Sequence, residues 1–457
     1  MFLSSLAHRL HTRGPRAAPR VILSLALIAT SSITAQQNPA RNPGVEGEEK
    51  EVRAAQAQGP EALVFVPGVT GSRLENPATG EVVWGDSSQV FSPKDRGYST
   101  VLPLRNAAYD GLVATDILSH LKLFGFSKEI YRPLVEFLTK AGWKRGDLNQ
   151  PNPTQNLYFF AYDWRRPNER AIAELDGALR RLSAAGFSAV RLICQSNAGR
   201  ICRYVAKYGA MPAEGGPAEA AAERAYTIRQ IVLVSNSNGG ALRQLHELHN
   251  GRRYVPGIGR FMAPETLFAL RTLFEDLPFY RTDLFLDDNG AALDLDVYDA
   301  TTWVEQGWSI FRADLEDELA QPAAKRLFGS RQDQLAYLQE RLQHARRVNE
   351  LLMAPVESYP TGLCLLQNET KATYERALVT AQRGKPRLLF ADDRGVPKRL
   401  GPLLASPGDG HGTAESQDFL SAQESAAVQA RYSVNGGHFD TITREETLER
   451  LLDCLQQ

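Results

Sequence analysis

At 457 residues, 43% of them hydrophobic and 23% charged, the chain has an ordinary globular composition and is long enough to bury a large core. Its 52 basic and 53 acidic residues nearly cancel, which excludes the strongly basic surface of a nucleic-acid binder.

The first 35 residues are a different kind of segment. Arg9, Arg13, Arg16 and Arg20 precede a short apolar run at 21–29 and mostly small residues at 31–35. This order predicts a secretory signal peptide over 1–35, cleaved near Ala35, and hence an exported chain (periplasmic or secreted). A membrane anchor fits less well, because a bilayer-spanning helix takes roughly 20 apolar residues. Cleavage removes four arginines and no acid, leaving 48 basic against 53 acidic residues and a net charge of −5. Strong electrostatic attraction to anionic membranes is not expected of such a chain. Residues 36–61 are rich in Gln, Pro, Glu, Ala and Gly and read as a flexible linker. The folded domain is expected over 62–457.

That domain opens with a continuous apolar run at 62–66, suited to a strand buried on both faces and ended by Pro67-Gly68. Within 111–126 the apolar residues Leu112, Ile117, Leu118, Leu121, Leu123, Phe124 and Phe126 predict core packing in preference to membrane contact. A strand is expected at 157–162. Asn168 is then a predicted N-cap for a helix whose face carries Ile172, Leu175, Leu179 and Leu182, closed by Gly186. A strand at 189–194, a helix over 201–208 and a strand at 231–234 follow. Between 241 and 361 the pattern changes to aromatic residues, among them Phe268, Phe274, Trp303, Trp308 and Phe311, and to long helical stretches such as 332–352. This segment reads as a cap inserted into the domain. Residues 245–260, with Arg252, Arg253, Pro256 and Gly257, read either as a mobile lid or as a plain loop. Strands are expected at 362–366, 387–390 and 428–434. In the last helix Thr443 and Glu446 have capping-box spacing, and Leu448, Leu451, Leu452 and Leu455 form its stripe. Buried strands alternating with amphipathic helices predict an α/β fold: a mostly parallel central sheet flanked by helices.

The chemistry centres on residues 190–200. A short apolar run ends at Ser196, small residues stand at Cys194 and Ala198, and helix-compatible sequence follows. This is the pattern of a strand–turn–helix elbow, which holds a serine in a strained conformation and exposes its hydroxyl for attack on an ester carbonyl. Such a serine needs a histidine base and a carboxylate that holds the histidine tautomer; in α/β-hydrolases they follow in the order Ser, Asp or Glu, His. His438, in the Asn435-Gly436-Gly437-His438 loop between the last strand and helix, is the predicted base. Asp409, in Gly408-Asp409-Gly410, is the predicted acid. His411 is expected at the rim of the site, and Asp163 as a structural acid paired with an arginine. The oxyanion donors are expected at the backbone of Asn197 and of Val69.

Four cysteines complete the inventory. Export permits disulfides. Cys364 and Cys454 read equally as a bridge or as buried free thiols, whereas Cys194 and Cys202 are expected to point apart. No cysteine pair has metal-ligand spacing, and neither a metal nor an organic cofactor is implied.

Taken together, Val64-Phe65-Val66-Pro67-Gly68-Val69-Thr70-Gly71, Ala161-Tyr162-Asp163-Trp164-Arg165, the serine elbow, Ser237-Asn238-Gly239-Gly240, Gly408-Asp409-Gly410 and Gly437-His438 resemble the lecithin:cholesterol acyltransferase family, which includes lysosomal phospholipase A2. The resemblance implies an α/β-hydrolase fold with Ser196, Asp409 and His438 as the catalytic triad and Val69 and Asn197 as oxyanion donors. It also implies an acyl-enzyme mechanism on lipid esters, with water or an alcohol as acceptor and transient contact with a lipid surface. The chain departs from the family at Cys194-Gln195, where Gly-His is common, and at Ser237-Asn238, where Pro-Trp is usual. It also lacks the cysteines of the small membrane-contact subdomain. The readings left open are a carboxylesterase or thioesterase on small soluble esters, and a non-catalytic hydrolase fold that binds lipid.

Overall fold

The computed structural model describes residues 59–85, 96–105, 110–123, 126–210, 225–253, 262–357, 359, 361–382 and 384–457. The expected signal and all but the last residues of the expected linker lie outside these residues.

Six strands make the central sheet: β1 (Glu61–Val66), β2 (Leu157–Phe159), β3 (Ala189–Gln195), β4 (Ile228–Val234), β5 (Gly362–Gln367) and β6 (Val428–Ser433). Their order is β6-β5-β4-β3-β1-β2, and every pairing is parallel. The inner strands β1, β3 and β4 are buried almost throughout, as their unbroken apolar runs require when helices cover both faces. The edge strand β6 alternates half-buried and exposed residues.

The chain leaves β1 for the edge strand β2 and then returns to the other side of β1 with β3. The order therefore reverses between β1 and β3. The loops leaving their carboxyl ends open a crevice there, the usual ligand position in an open α/β sheet.

The named helices are α1 (Asn168–Ala184), α2 (Ala198–Tyr208), α3 (Leu242–Asn250), α4 (Arg331–Met353) and α5 (Glu445–Leu455). The face of α1 carrying Ile172, Leu175, Leu179 and Leu182 is buried, as its periodicity predicts. Asn168 is not its N-cap: Pro167 is, and Asn168 is the first helical residue. Its amide is drawn inward into a reciprocal pair with Asn197, at 2.9 and 2.8 Å. The capping box expected of Thr443 and Glu446 does not form either. A 3₁₀ turn at Thr441–Thr443 engages the Thr443 hydroxyl with the Asp440 carbonyl at 2.9 Å, and α5 starts after Arg444.

Between β4 and β5 the chain is mainly helical. Phe268, Phe274, Trp303 and Trp308 pack edge-on or tilted against one another and belong to the same buried cluster as the sheet residues. Helix α4 begins at a capping box made by Ser330 and Asp333. The strand expected near 387–390 forms at Lys385–Leu389 but outside the central sheet. It pairs antiparallel with Ala377–Gln382 across a turn at Gly384, whose φ of +76° lets the chain reverse at once.

Residues 111–126 contribute short antiparallel strands at Val113–Ile117 and His120–Leu123, and Leu112, Ile117, Leu118 and Leu121 are buried. The side chains of Leu123, Phe124 and Phe126 lie outside the described residues. Of the expected lid, residues 245–250 are part of helix α3 and 254–260 lie outside the described residues.

All four cysteines are bridged. Cys364–Cys454 ties β5 to α5, with a Cα–Cα distance of 5.9 Å. Cys194–Cys202 corrects the expectation that these two point apart: their Cα atoms are 6.6 Å apart and the bridge closes. The tight turn at Ser196 folds α2 back along β3, so a residue one helical turn into α2 returns to the level of the strand's end.

Candidate active site

Ser196 stands between β3 and α2 with a φ of +56°, the left-handed conformation that a non-glycine residue adopts at a cost of order 1–3 kcal/mol. Three contacts hold it there. Its N–H donates to the Val234 carbonyl at 3.1 Å, the Asn236 amide donates to its carbonyl, and the loop after β1 crosses directly over it. The last two contacts need glycines. A Cβ on Gly68 would lie 2.9 Å from the Ser196 Cβ, and one on Gly199 would collide with the Asn236 side chain. The elbow thus keeps one glycine after the serine, displaced by a residue from the usual place. Cys194, at the other usual glycine position, carries the bridge to Cys202.

His438 lies after β6, 5% exposed, and its Nε2 is 2.8 Å from the Ser196 Oγ. Its Nδ1 is 2.8 Å from Asp409 Oδ2, and its backbone N–H donates to the Asp409 carbonyl at 2.9 Å. The second Asp409 oxygen accepts from the His411 and Gly412 N–H groups, both at 2.8 Å. Burial opposes ionisation of Asp409, but the charge and hydrogen bond of His438, with His411 nearby, outweigh it and hold the carboxyl below its ordinary range. Serine, imidazole and carboxylate therefore form one continuous hydrogen-bonded line, which can move a proton from a hydroxyl to an imidazole whose cation is stabilised from behind.

Asn197 is the first residue after the serine and caps α2, so its N–H sits at the positive end of that helix. Val69 lies in the loop that Gly68 brings over the serine, and it shares a cavity with Ser196. Among the described residues neither N–H donates to a protein acceptor. Thr70, at a φ of +64°, fixes this loop by donating to the Val69 carbonyl at 2.6 Å and accepting from Trp84 Nε1 at 2.8 Å.

Asp163 pairs with Arg165 at 2.8 Å and Arg166 at 3.0 Å, as a structural acid would. His411 does not sit at the rim. It is 6% exposed, its Nε2 is 2.7 Å from Asp276 Oδ2, and its ring stacks on that of His438 with centroids 4.3 Å apart. Burial disfavours its cation, but Asp276 overrides this and raises its pKa. Asp276 in turn accepts from the Ser237 hydroxyl at 2.9 Å and meets Arg200 at 3.3 Å.

Sequence reasoning also missed Gln195 and Tyr131. The Tyr131 hydroxyl donates to Gln195 Oε1 at 2.5 Å, and Gln195 Nε2 reaches the His438 carbonyl at 3.4 Å, so the pair braces the histidine loop. The position of Gln195, directly before the serine, was the one available signal.

The cavity at Ser196 measures about 140 Å³, with apolar walls that include Val69, Trp84, Leu118, Leu121 and Ile130. On the other side of His438 and the half-exposed Phe439 lies an open groove of about 680 Å³, bordered by Lys371, Tyr374 and Asp392. Among the described residues no group of three or more His, Cys, Asp or Glu could hold a metal ion, and no helix is long and apolar enough to cross a membrane.

No protein-family model and no curated protein matches the chain. Among solved structures, the Tle4–Tli4 complex contains a chain that aligns with 87% of this one and 98% of its own length, at 13% identity and a TM-score of 0.58. The Bacillus licheniformis lipase BlEst2 in its mature form aligns over 87% of this chain and 93% of its own, at 11% identity and a TM-score of 0.34. The fold is that of the α/β-hydrolases. Strand order, serine elbow and the Ser, Asp, His chain order agree with that fold, and the likeness reaches no further than the fold.

Proposed function

We propose that the chain is a serine-dependent acyl hydrolase or O-acyltransferase acting on lipid esters, of the kind the lecithin:cholesterol acyltransferase resemblance implies. The observation that carries this reading is the unbroken Ser196–His438–Asp409 line, with 2.8 Å at both links, at the mouth of an apolar cavity. His438 Nε2 takes the hydroxyl proton as Ser196 Oγ attacks the ester carbonyl, and Asp409 holds the imidazole with Nδ1 protonated. The Val69 and Asn197 N–H groups receive the charge that develops on the carbonyl oxygen. His438 then gives its proton to the departing alcohol. Water or a second alcohol, deprotonated by the same imidazole, releases the acyl group from Ser196. The signal-like residues 1–35 and the two disulfides support an exported protein working in an oxidising compartment.

A second reading, a carboxylesterase or thioesterase on small soluble esters, is favoured by the size of the cavity. At about 140 Å³ it falls below the roughly 300–1,000 Å³ usual for small-molecule sites.

The test follows a labelled acyl chain from phosphatidylcholine vesicles, with and without an added alcohol, in the wild type and in Ser196→Ala, with p-nitrophenyl butyrate assayed in parallel. Serine-dependent free fatty acid identifies a lipase, and serine-dependent acyl-alcohol an acyltransferase. Turnover of the butyrate alone selects the second reading. Release that persists in Ser196→Ala refutes both.

A further inference from the structure

The walls of the Ser196 cavity are apolar, but its mouth is not. Lys128, Arg243, Arg252 and Arg253 border it, with Glu247 as the acid among them. The chain as a whole carries a net charge of −1, so four cations facing one anion next to the reacting serine is a local departure from its overall balance.

Glu247 does not cancel this surplus. It is 2% exposed, bonded to Arg252 Nε at 2.7 Å and facing Arg243 Nε at 3.4 Å. Burial opposes its ionisation, yet Arg252, Arg243 and His411 together hold its pKa down to about 2. The carboxylate is therefore committed to fixing two guanidinium groups in place. Arg243 also stacks over Tyr374, at 5.4 Å from its ring centroid, which holds it between the cavity and the open groove beyond His438. Lys128 and Arg253 are exposed and make no ion pair with a described residue. After Glu247 is counted, the mouth keeps the charge of three cations, two of which are exposed and unpaired among the described residues.

We infer that this mouth selects esters whose alcohol part carries a net negative charge, an anionic phosphodiester head group being the chemistry that fits. Lys128 and Arg253 are the residues that determine this specificity, and Arg243 and Arg252 form a fixed platform behind them. The inference rests on the proposed serine acyl chemistry and names its substrate class. It follows from position: the four cations line the same cavity as Ser196, His438 and Phe439, so the charged end of an ester held at Ser196 Oγ lies within their field. A zwitterionic head group would bring its own cation into that positive field and lose most of the attraction, whereas a net anion gains all of it.

The experiment compares kcat/KM for dihexanoyl-phosphatidylglycerol and dihexanoyl-phosphatidylcholine, both kept monomeric so that attraction to a charged bilayer plays no part. The wild type is expected to prefer the anionic lipid by on the order of tenfold at low salt, the combined worth of two partly exposed charge pairs. The preference should shrink towards equality in 0.5 M NaCl, where the screening length falls to a few ångströms. In Lys128→Glu/Arg253→Glu the ratio should invert, and the cationic ester butyrylcholine should gain. Equal turnover of the two lipids by the wild type, a ratio indifferent to salt, or a ratio unchanged in the double variant overturns the inference. The salt series needs no variant, so misfolding of the substituted chain cannot hide the answer. Turnover of p-nitrophenyl butyrate in each preparation separates this failure from that of the acyl chemistry: an enzyme that cleaves the butyrate and ignores head-group charge refutes only the specificity.

Discussion

Two His–Asp pairs lie face to face at the carboxyl end of the sheet. In one, His438 binds Asp409 at 2.8 Å; in the other, His411 binds Asp276 at 2.7 Å, and the two rings stack with centroids 4.3 Å apart. Both are buried and both carboxyls are held below their ordinary range. They differ in what surrounds the imidazole. His438 has a carboxylate at one nitrogen and the Ser196 hydroxyl at the other, so a proton can enter on one side while its charge is compensated on the other. The Nε2 of His411 is taken up by Asp276, and among the described residues no hydroxyl is bonded to its other nitrogen. A hydrogen-bonded His–Asp pair is therefore not in itself an acid–base device. It becomes one when the second nitrogen meets a group that has to lose a proton.

The sharpest way to break this comparison is to remove each imidazole in turn. His438→Gln is expected to lower kcat/KM about 10⁴-fold on any ester, whereas His411→Gln costs no more than roughly tenfold, because it only loosens a neighbour. Equal losses would mean that both rings take part in proton transfer. A smaller effect separates the pairs by stability. Asp276→Asn leaves the His411 cation and Arg200 without their buried counter-charge, and urea unfolding should show a loss of about 3 kcal/mol. Unchanged unfolding in that variant would mean that His411 is neutral in the folded protein.

The smallest effect is the pH dependence. The pKa of His411 is raised on folding above the ordinary value near 6.5, so the stability it contributes is complete below that value and is lost as pH rises through the raised one. Asp409 works in the opposite direction: its contribution is complete above the ordinary carboxyl range and is lost as pH falls through its lowered pKa. Thermal melts of the wild type should therefore decline on the alkaline side, and His411→Gln should flatten that limb while leaving the acid limb in place. A limb that persists in the variant would assign it to another group.

The same contrast marks what could be read from the chain alone. The inner strands were legible because burial on both faces writes an unbroken apolar run. The serine elbow and the Gly-Gly-His loop were legible because tight turns demand small residues at fixed offsets. His411 was misplaced because its partner Asp276 lies 135 residues away, and nothing local records a contact made by tertiary packing. The strand expected at 387–390 was read with those of the sheet because three apolar residues, Leu388-Leu389-Phe390, carry no information about their neighbour. The Cys194–Cys202 bridge was missed because a cysteine one turn into the next helix looks divergent until the elbow folds that helix back against the strand. The cationic mouth was invisible for the same reason, since Lys128, on the short strand Phe126–Glu129, is far in sequence from Arg243 in α3 and from Arg252 and Arg253 just after it.

That bridge has a consequence of its own. Cys194 lies two residues before Ser196 and Cys202 six residues after it, so the disulfide encloses the serine in a small covalent ring. The left-handed turn at Ser196 would relax most easily if the strand and the helix moved apart, and the ring denies that route. A break in the backbone anywhere between the two cysteines would leave both ends tethered. The strained hydroxyl is thus secured by a chemical bond as well as by packing, and an oxidised elbow should be the last part of the site to lose its shape.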